Sequence, residues 1–119
     1  MSNEIDPDCL FCKILAGEIP GEIVAENDHA VALRDIAPVA STHVLVIPRR
    51  HVRDATALGR KESEMLGAIF ELANEVARIE GIAASGFRLV ANVGEDSGSQ
   101  VAHLHFHCIG GRQLGWPPG

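Results

Sequence analysis

Residues 103–107 alternate histidine with bulky apolar residues, and the run continues as His103-Leu-His105-Phe-His107-Cys-Ile. Residues two apart share one face of a strand. Drawn as a strand, the run lines three imidazoles along one side and Leu104, Phe106 and Cys108 along the other. The apolar side demands a covering layer, so the chain must build a sheet with at least one face packed. A single histidine carries little meaning, but three on one face opposite a clean apolar row point to a site. Nucleophilic chemistry and metal ligation both use such a row, since imidazole is a weak base near neutrality and a common metal ligand. The spacing alone does not separate them.

The remaining elements follow from local pattern. Cys9 to Ala16 reads as a short helix, with Asp8 as its N-cap and Gly17 as its stop. Gly17, Pro20 and Gly21 mark a turn. Two strands are expected at 22–26 and 30–34, joined through the hairpin residues Asn27 and Asp28. A third runs from His43 to Ile47 and stops at Pro48, with His43, Leu45 and Ile47 on one face. Met65, Leu66, Ile69, Phe70, Ala73, Val76 and Ala77 recur at helical spacing within a long helix over 61–80, which Gly81 ends. Phe87 to Val93 reads as a fourth strand and Val101 to Ile109 as a fifth. Short, mostly antiparallel strands with one covering helix make an α+β two-layer domain.

Length and charge narrow the function. The chain has 119 residues, enough for one domain with a single core. Residues 1–8 read as a loose terminus and 110–119 as a tail. The formal charge of −6 argues against non-specific nucleic-acid binding and against an anionic membrane face. It does not exclude one nucleotide, whose phosphate a few backbone N–H groups and histidines can hold. Three cysteines, an acidic N-terminus and no long apolar run lead to the expectation of a cytoplasmic protein. The glycine-rich loop from Asn92 to Gln100 can aim backbone N–H groups at an anion just before the histidine row.

With these residues assembled, the sequence resembles the histidine triad family. His103-Leu-His105-Phe-His107-Cys-Ile is similar to the family's alternating motif. The ending Gly110-Gly-Arg-Gln-Leu-Gly-Trp116-Pro-Pro-Gly119 is similar to that of the purine nucleoside phosphoramidase branch. Cys9-Leu-Phe-Cys12-Lys-Ile, Arg34-Asp35-Ile36 and Thr42-His43-Val-Leu-Val-Ile-Pro48 match that branch in order and spacing.

The resemblance implies a five-stranded antiparallel sheet with one long and one short helix. It also implies a homodimer whose two sheets join. His105 would be the nucleophile, attacking the α-phosphorus of a purine nucleoside 5′-phosphoramidate or an acyl- or aminoacyl-nucleotide. A nucleotidyl-histidine would form, and water would release the monophosphate. His107 would stabilise charge on the phosphoryl oxygens, with His103 and His43 completing the catalytic set. Leu33 and Ile36 would wall the base and Asp35 would hold the ribose. Asn92, Gly98, Ser99, Gln100 and Val101 would surround the phosphate, and Trp116 would reach the partner subunit's site. No catalytic metal is implied. One run departs from the family: Gly98-Ser99-Gln100-Val101 stands where Gly-Gln-Ser-Val or Gly-Gln-Glu-Val is usual. Gln100 can donate a hydrogen bond but cannot act as a general acid. Three other readings compete: a dinucleoside polyphosphate hydrolase, a non-catalytic nucleotide- or partner-binding module, and a metallohydrolase ligated by the triad.

Cys9 and Cys12 form a C-x-x-C pair whose thiols can point the same way. A structural zinc ion needs four such donors. His51 and His103 are the candidates for the other two, a set that resembles that of some bacterial relatives. Two free thiols or a redox pair are the alternatives.

Overall fold

The computed structural model describes residues 9–98 and 101–119. The Asp8 cap, Ser99 and Gln100 therefore lie outside the described residues. Strands β1 (Ile23–Glu26), β2 (Ala30–Arg34), β3 (Thr42–Pro48), β4 (Phe87–Ala91) and β5 (Phe106–Gly110) form one sheet in the order β1-β2-β3-β5-β4. Every neighbouring pair is antiparallel. The β1–β2 turn is closed by Asn27, whose Oδ1 accepts from the amides of His29 and Ala30, as short polar side chains do in turns. β3 lies at the centre and is buried along its whole length, which its β-branched run permits.

Helix α2 (Ser63–Ile79) buries Met65, Ala68, Ile69, Leu72, Ala73, Val76 and Ala77. That stripe packs with Ala30, Ala32, Val44, Val46, Leu104 and Cys108. The alternate residues Val31, Leu33, Leu45 and Ile47 point through the opposite face. There they pack with Cys9, Phe11 and Cys12 of the short helix α1 (Leu10–Leu15) and its cap. The two helices thus lie on opposite faces, so α1 adds a partial third layer to the expected two. At its end, α2 is tied to β2 by Glu80, which takes two hydrogen bonds from the Arg34 guanidinium at 2.9 and 2.8 Å. A bidentate ion pair of this kind fixes direction as well as distance, and it anchors the residue before Asp35.

Most element ends differ from the sequence reading by one or two residues, and three of the differences bear on the site. α1 is capped by the Cys9 thiolate or thiol sulfur, which accepts from the Cys12 amide, and begins at Leu10. β4 stops at Ala91, where its ladder with β5 ends against Phe106. β5 starts at Phe106 rather than Val101. Its β3 ladder ends at the Val46–Phe106 pair. Beyond it, Pro48 has no N–H to offer, and the Leu104 amide turns instead to the Val52 carbonyl. His103 and His105 therefore precede the ladder, in an irregular segment that bends at His103.

Candidate active site and metal centre

The irregular stretch before β5 separates the three histidines. The His103 ring is fully buried and turned toward α1. Its Nε2 lies 3.2 Å from the Pro48 carbonyl. A carbonyl only accepts, so Nε2 carries the proton and the Nδ1 lone pair faces the other way. Around that lone pair stand Cys9 Sγ at 3.1 Å, Cys12 Sγ at 3.5 Å and His51 Nδ1 at 3.2 Å. Cys12 Sγ is also 3.3 Å from His51 Nδ1. Burial pushes the Cys9 thiol above its ordinary value.

These four residues can hold a metal ion, their ligand atoms all lying within 4.8 Å of one another. A tetrahedral ion at ~2.0 Å from nitrogen and ~2.3 Å from sulfur sets its ligand atoms roughly 3.3–3.8 Å apart. The observed spacings sit close to that range. The Pro48 contact is the outer hydrogen bond that orients a ligating imidazole. His103 is thereby committed by its ring to this cluster, and it reaches His105 through its backbone only.

His105 Nδ1 is 2.7 Å from the His103 carbonyl. It must donate, which leaves Nε2 as a lone pair. The ring is buried to 8% exposure, with the edge of Phe11 5.1 Å away, centroid to centroid. His105 and His107, 4.9 Å apart, line a cleft of about 400 Å³ together with Leu10, Phe11, Ile14, Leu33, Asp35, Ile36, Leu45 and Val101. Of the predicted substrate contacts, Leu33, Asp35, Ile36 and Val101 are brought together here. Asn92 and Gly98 line an adjoining cavity of about 610 Å³ that also touches Val101. Asn92 further borders His43 and His107 from the other side. Trp116 is exposed, its ring under the Arg88 guanidinium at 5.8 Å, and does not line the cleft of its own chain. Phe11, Leu10 and Ile14 were missed by sequence reasoning: their apolar spacing reads simply as the inner face of a helix.

His107 is held at about 4, well below the ordinary histidine value; burial is the main cause, followed by the charges of His105 and His43. Its neutral form is favoured in the folded state, so between pH ~6.5 and ~4 the unfolded chain binds the extra proton. Stability from this group is complete above that window and lost as the pH falls through it. The urea midpoint should therefore drop between pH 7 and pH 4.5, and His107→Gln should flatten that drop. An unchanged slope in the variant would remove His107 as its source.

The HIT domain family profile matches residues 16–114. The chain belongs to the HIT family. This HIT protein is 44% identical over 118 residues to adenylylsulfatase HINT1 of Arabidopsis thaliana, a match covering 96% of this chain and 78% of that one. It is 42% identical over 116 residues to an uncharacterized 13.2 kDa HIT-like protein of Azospirillum brasilense, covering 97% and 95%. Its structure matches that of a HIT family hydrolase from Legionella pneumophila with a TM-score of 0.91 at 46% identity, covering 94% of this chain and 100% of that one. Among the described residues no helix is long and apolar enough to cross a membrane.

Proposed function

We propose that this HIT protein hydrolyses purine nucleoside 5′-phosphoramidates or acyl- and aminoacyl-nucleotides at the α-phosphorus, through a nucleotidyl-His105 intermediate. The observation that carries the reading is the 2.7 Å contact from His105 Nδ1 to the His103 carbonyl. It aims an unprotonated Nε2 from a residue that lines an apolar cleft. That lone pair forms the N–P bond as the bond to the leaving group breaks. Water then cleaves the N–P bond, releasing the monophosphate and restoring His105. Dividing one displacement into two lowers each barrier.

In this reading Leu33 and Ile36 flank the base and Asp35 accepts from the ribose hydroxyls. His107, Asn92, Gly98 and Val101 would surround the phosphate, where fixed donors stabilise developing charge; Ser99 and Gln100, outside the described residues, are proposed to contact it from the sequence resemblance alone. Zinc is the proposed occupant of the Cys9, Cys12, His51 and His103 cluster, and its role is structural. A homodimer joined through the edge strand β4 would carry Trp116 toward the neighbouring subunit's site. Light scattering tests this, with a mass near twice 12.7 kDa expected and a monomer at micromolar concentration refuting it. The protein is proposed to work in the cytoplasm.

The deciding assay compares adenosine 5′-phosphoramidate, adenosine 5′-phosphosulfate and diadenosine tetraphosphate at saturation, in EDTA. Faster turnover of the phosphoramidate is expected. Preference for the tetraphosphate would establish the dinucleoside polyphosphate reading. Tight nucleotide binding without turnover of any of them would make the protein a binding module.

A further inference from the structure

The contacts around His43 form a one-way chain of hydrogen bonds. The Val39 amide lies 3.2 Å from His43 Nδ1. An amide N–H can only donate, so Nδ1 accepts, and neutral His43 carries its proton on Nε2. That Nε2 is 2.8 Å from His107 Nδ1 and 3.3 Å from Asp35 Oδ2. The shorter contact is the one to His107, whose Nδ1 must then accept. The proton of neutral His107 is left on Nε2, the far edge of the ring. The nitrogen that bears the proton in an imidazole is set by the bond its other nitrogen makes.

We propose that His43 is a positioning residue that locks His107 in its Nε2–H form, so that His107 offers a proton donor to a phosphoryl oxygen while its neighbour His105 offers a lone pair. Two histidines two residues apart are thus held in opposite tautomers by unlike partners. The His103 carbonyl accepts a hydrogen bond from Nδ1–H of His105, whereas the His43 ring donates to Nδ1 of His107. No proton is transferred: His107 keeps its Nε2–H and donates a hydrogen bond as negative charge grows on the oxygen. The neutral state of His107 near pH 7 is consistent with a donor of this kind.

Asp35, His43 and His107 also offer three ligand atoms within 4.8 Å, but the geometry disfavours an ion. A metal on His43 Nε2 would move the ring proton to Nδ1, against the Val39 N–H. The 2.8 Å separation of the two ring nitrogens is also shorter than the ~3.3 Å that two nitrogen ligands keep around a tetrahedral ion.

The tautomer stands apart from the reaction; only its use rests on the phosphoryl-transfer reading above. Long-range 15N–1H correlation of the metal-loaded wild-type protein at pH 7 reads it directly. For His107, an unprotonated Nδ1 and a protonated Nε2 are expected. The opposite tautomer, or a mixture, would overturn the proposal. In His43→Phe the spectrum should move toward a mixture, and in His43→Asn, whose amide N–H can still donate, it should move back. On a phosphoramidate substrate His43→Phe should lose about 10- to 100-fold in kcat with KM changed less than about threefold. His43→Asn should recover part of that loss. A fall in kcat with the His107 spectrum unchanged would mean that His43 acts otherwise, and overturns the proposal. If no substrate turns over, the wild-type spectrum still decides the tautomer.

Discussion

His105→Ala is expected to lower turnover of a nucleoside phosphoramidate by at least ~10³-fold while leaving affinity for the monophosphate within about tenfold. The two effects separate because the walls of the cleft do not depend on this ring. Leu33 and Leu45 are held by the sheet and by α1, and Asp35 follows a strand tied to α2 through Arg34. What disappears is the atom that bonds to phosphorus, and that loss appears in kcat. The substitution also leaves the buried His103 carbonyl without its donor, at a cost of about 1–2 kcal/mol in stability. His105→Asn is therefore the better companion, since its amide can donate to that carbonyl yet cannot attack phosphorus. Both variants should be inactive, and the asparagine variant should unfold closer to the wild-type midpoint. Quenched-flow measurements should show covalent nucleotide on the wild-type chain only. More than a tenth of wild-type turnover in either variant would remove His105 as the nucleophile.

The parts legible in advance were those written in short-range pattern. β2 and the core of α2 follow from periodicity and turn residues, and the structure places them where these signals do. The apolar face of the histidine run was equally visible: Leu104 and Cys108 are buried in the α2 core. Period two nevertheless carried the strand too far. Alternation continues through His103, but the ladder does not, because Pro48 interrupts the partner's donors and the chain turns to Val52. The break matters chemically, since it lets His103 turn its ring to the cysteines while its carbonyl holds His105. Contacts between distant segments were not legible in the residues themselves. The backbone amide of Val39 has no side-chain signature, yet it orients His43. Phe11 reads as a helix core residue, and only the packing of α1 on the histidine face brings its ring against His105. The C-x-x-C pair signalled a missing half-site. Proximity of His51 and His103 to it required the fold.

Removal of the metal should weaken both the fold and nucleotide binding, more than it weakens the chemistry. Protein purified without chelator is expected to hold about one zinc ion per chain. Below a tenth of an equivalent, the assignment of zinc fails. Where free zinc stands roughly a thousandfold above its Kd, binding contributes about 4 kcal/mol to folding, and Cys12→Ser should forfeit most of it. The core under α2 shares no residue with this cluster, so the variant should remain folded with a lower urea midpoint. The local effect is predicted to be sharper. α1 has six residues, too few to persist as a helix without tertiary support, and the metal would bind its cap Cys9 and its buried Cys12. Loosening α1 frees Leu10, Phe11 and Ile14, which form one wall of the cleft. KM should therefore rise about tenfold, at ~1.4 kcal/mol for the lost wall contacts, while kcat at saturation changes less than about threefold. The Pro48 carbonyl still holds the His103 ring, and the His103 carbonyl still orients His105. Loss of kcat with KM unchanged would instead place the metal in the chemical step and revive the metallohydrolase reading.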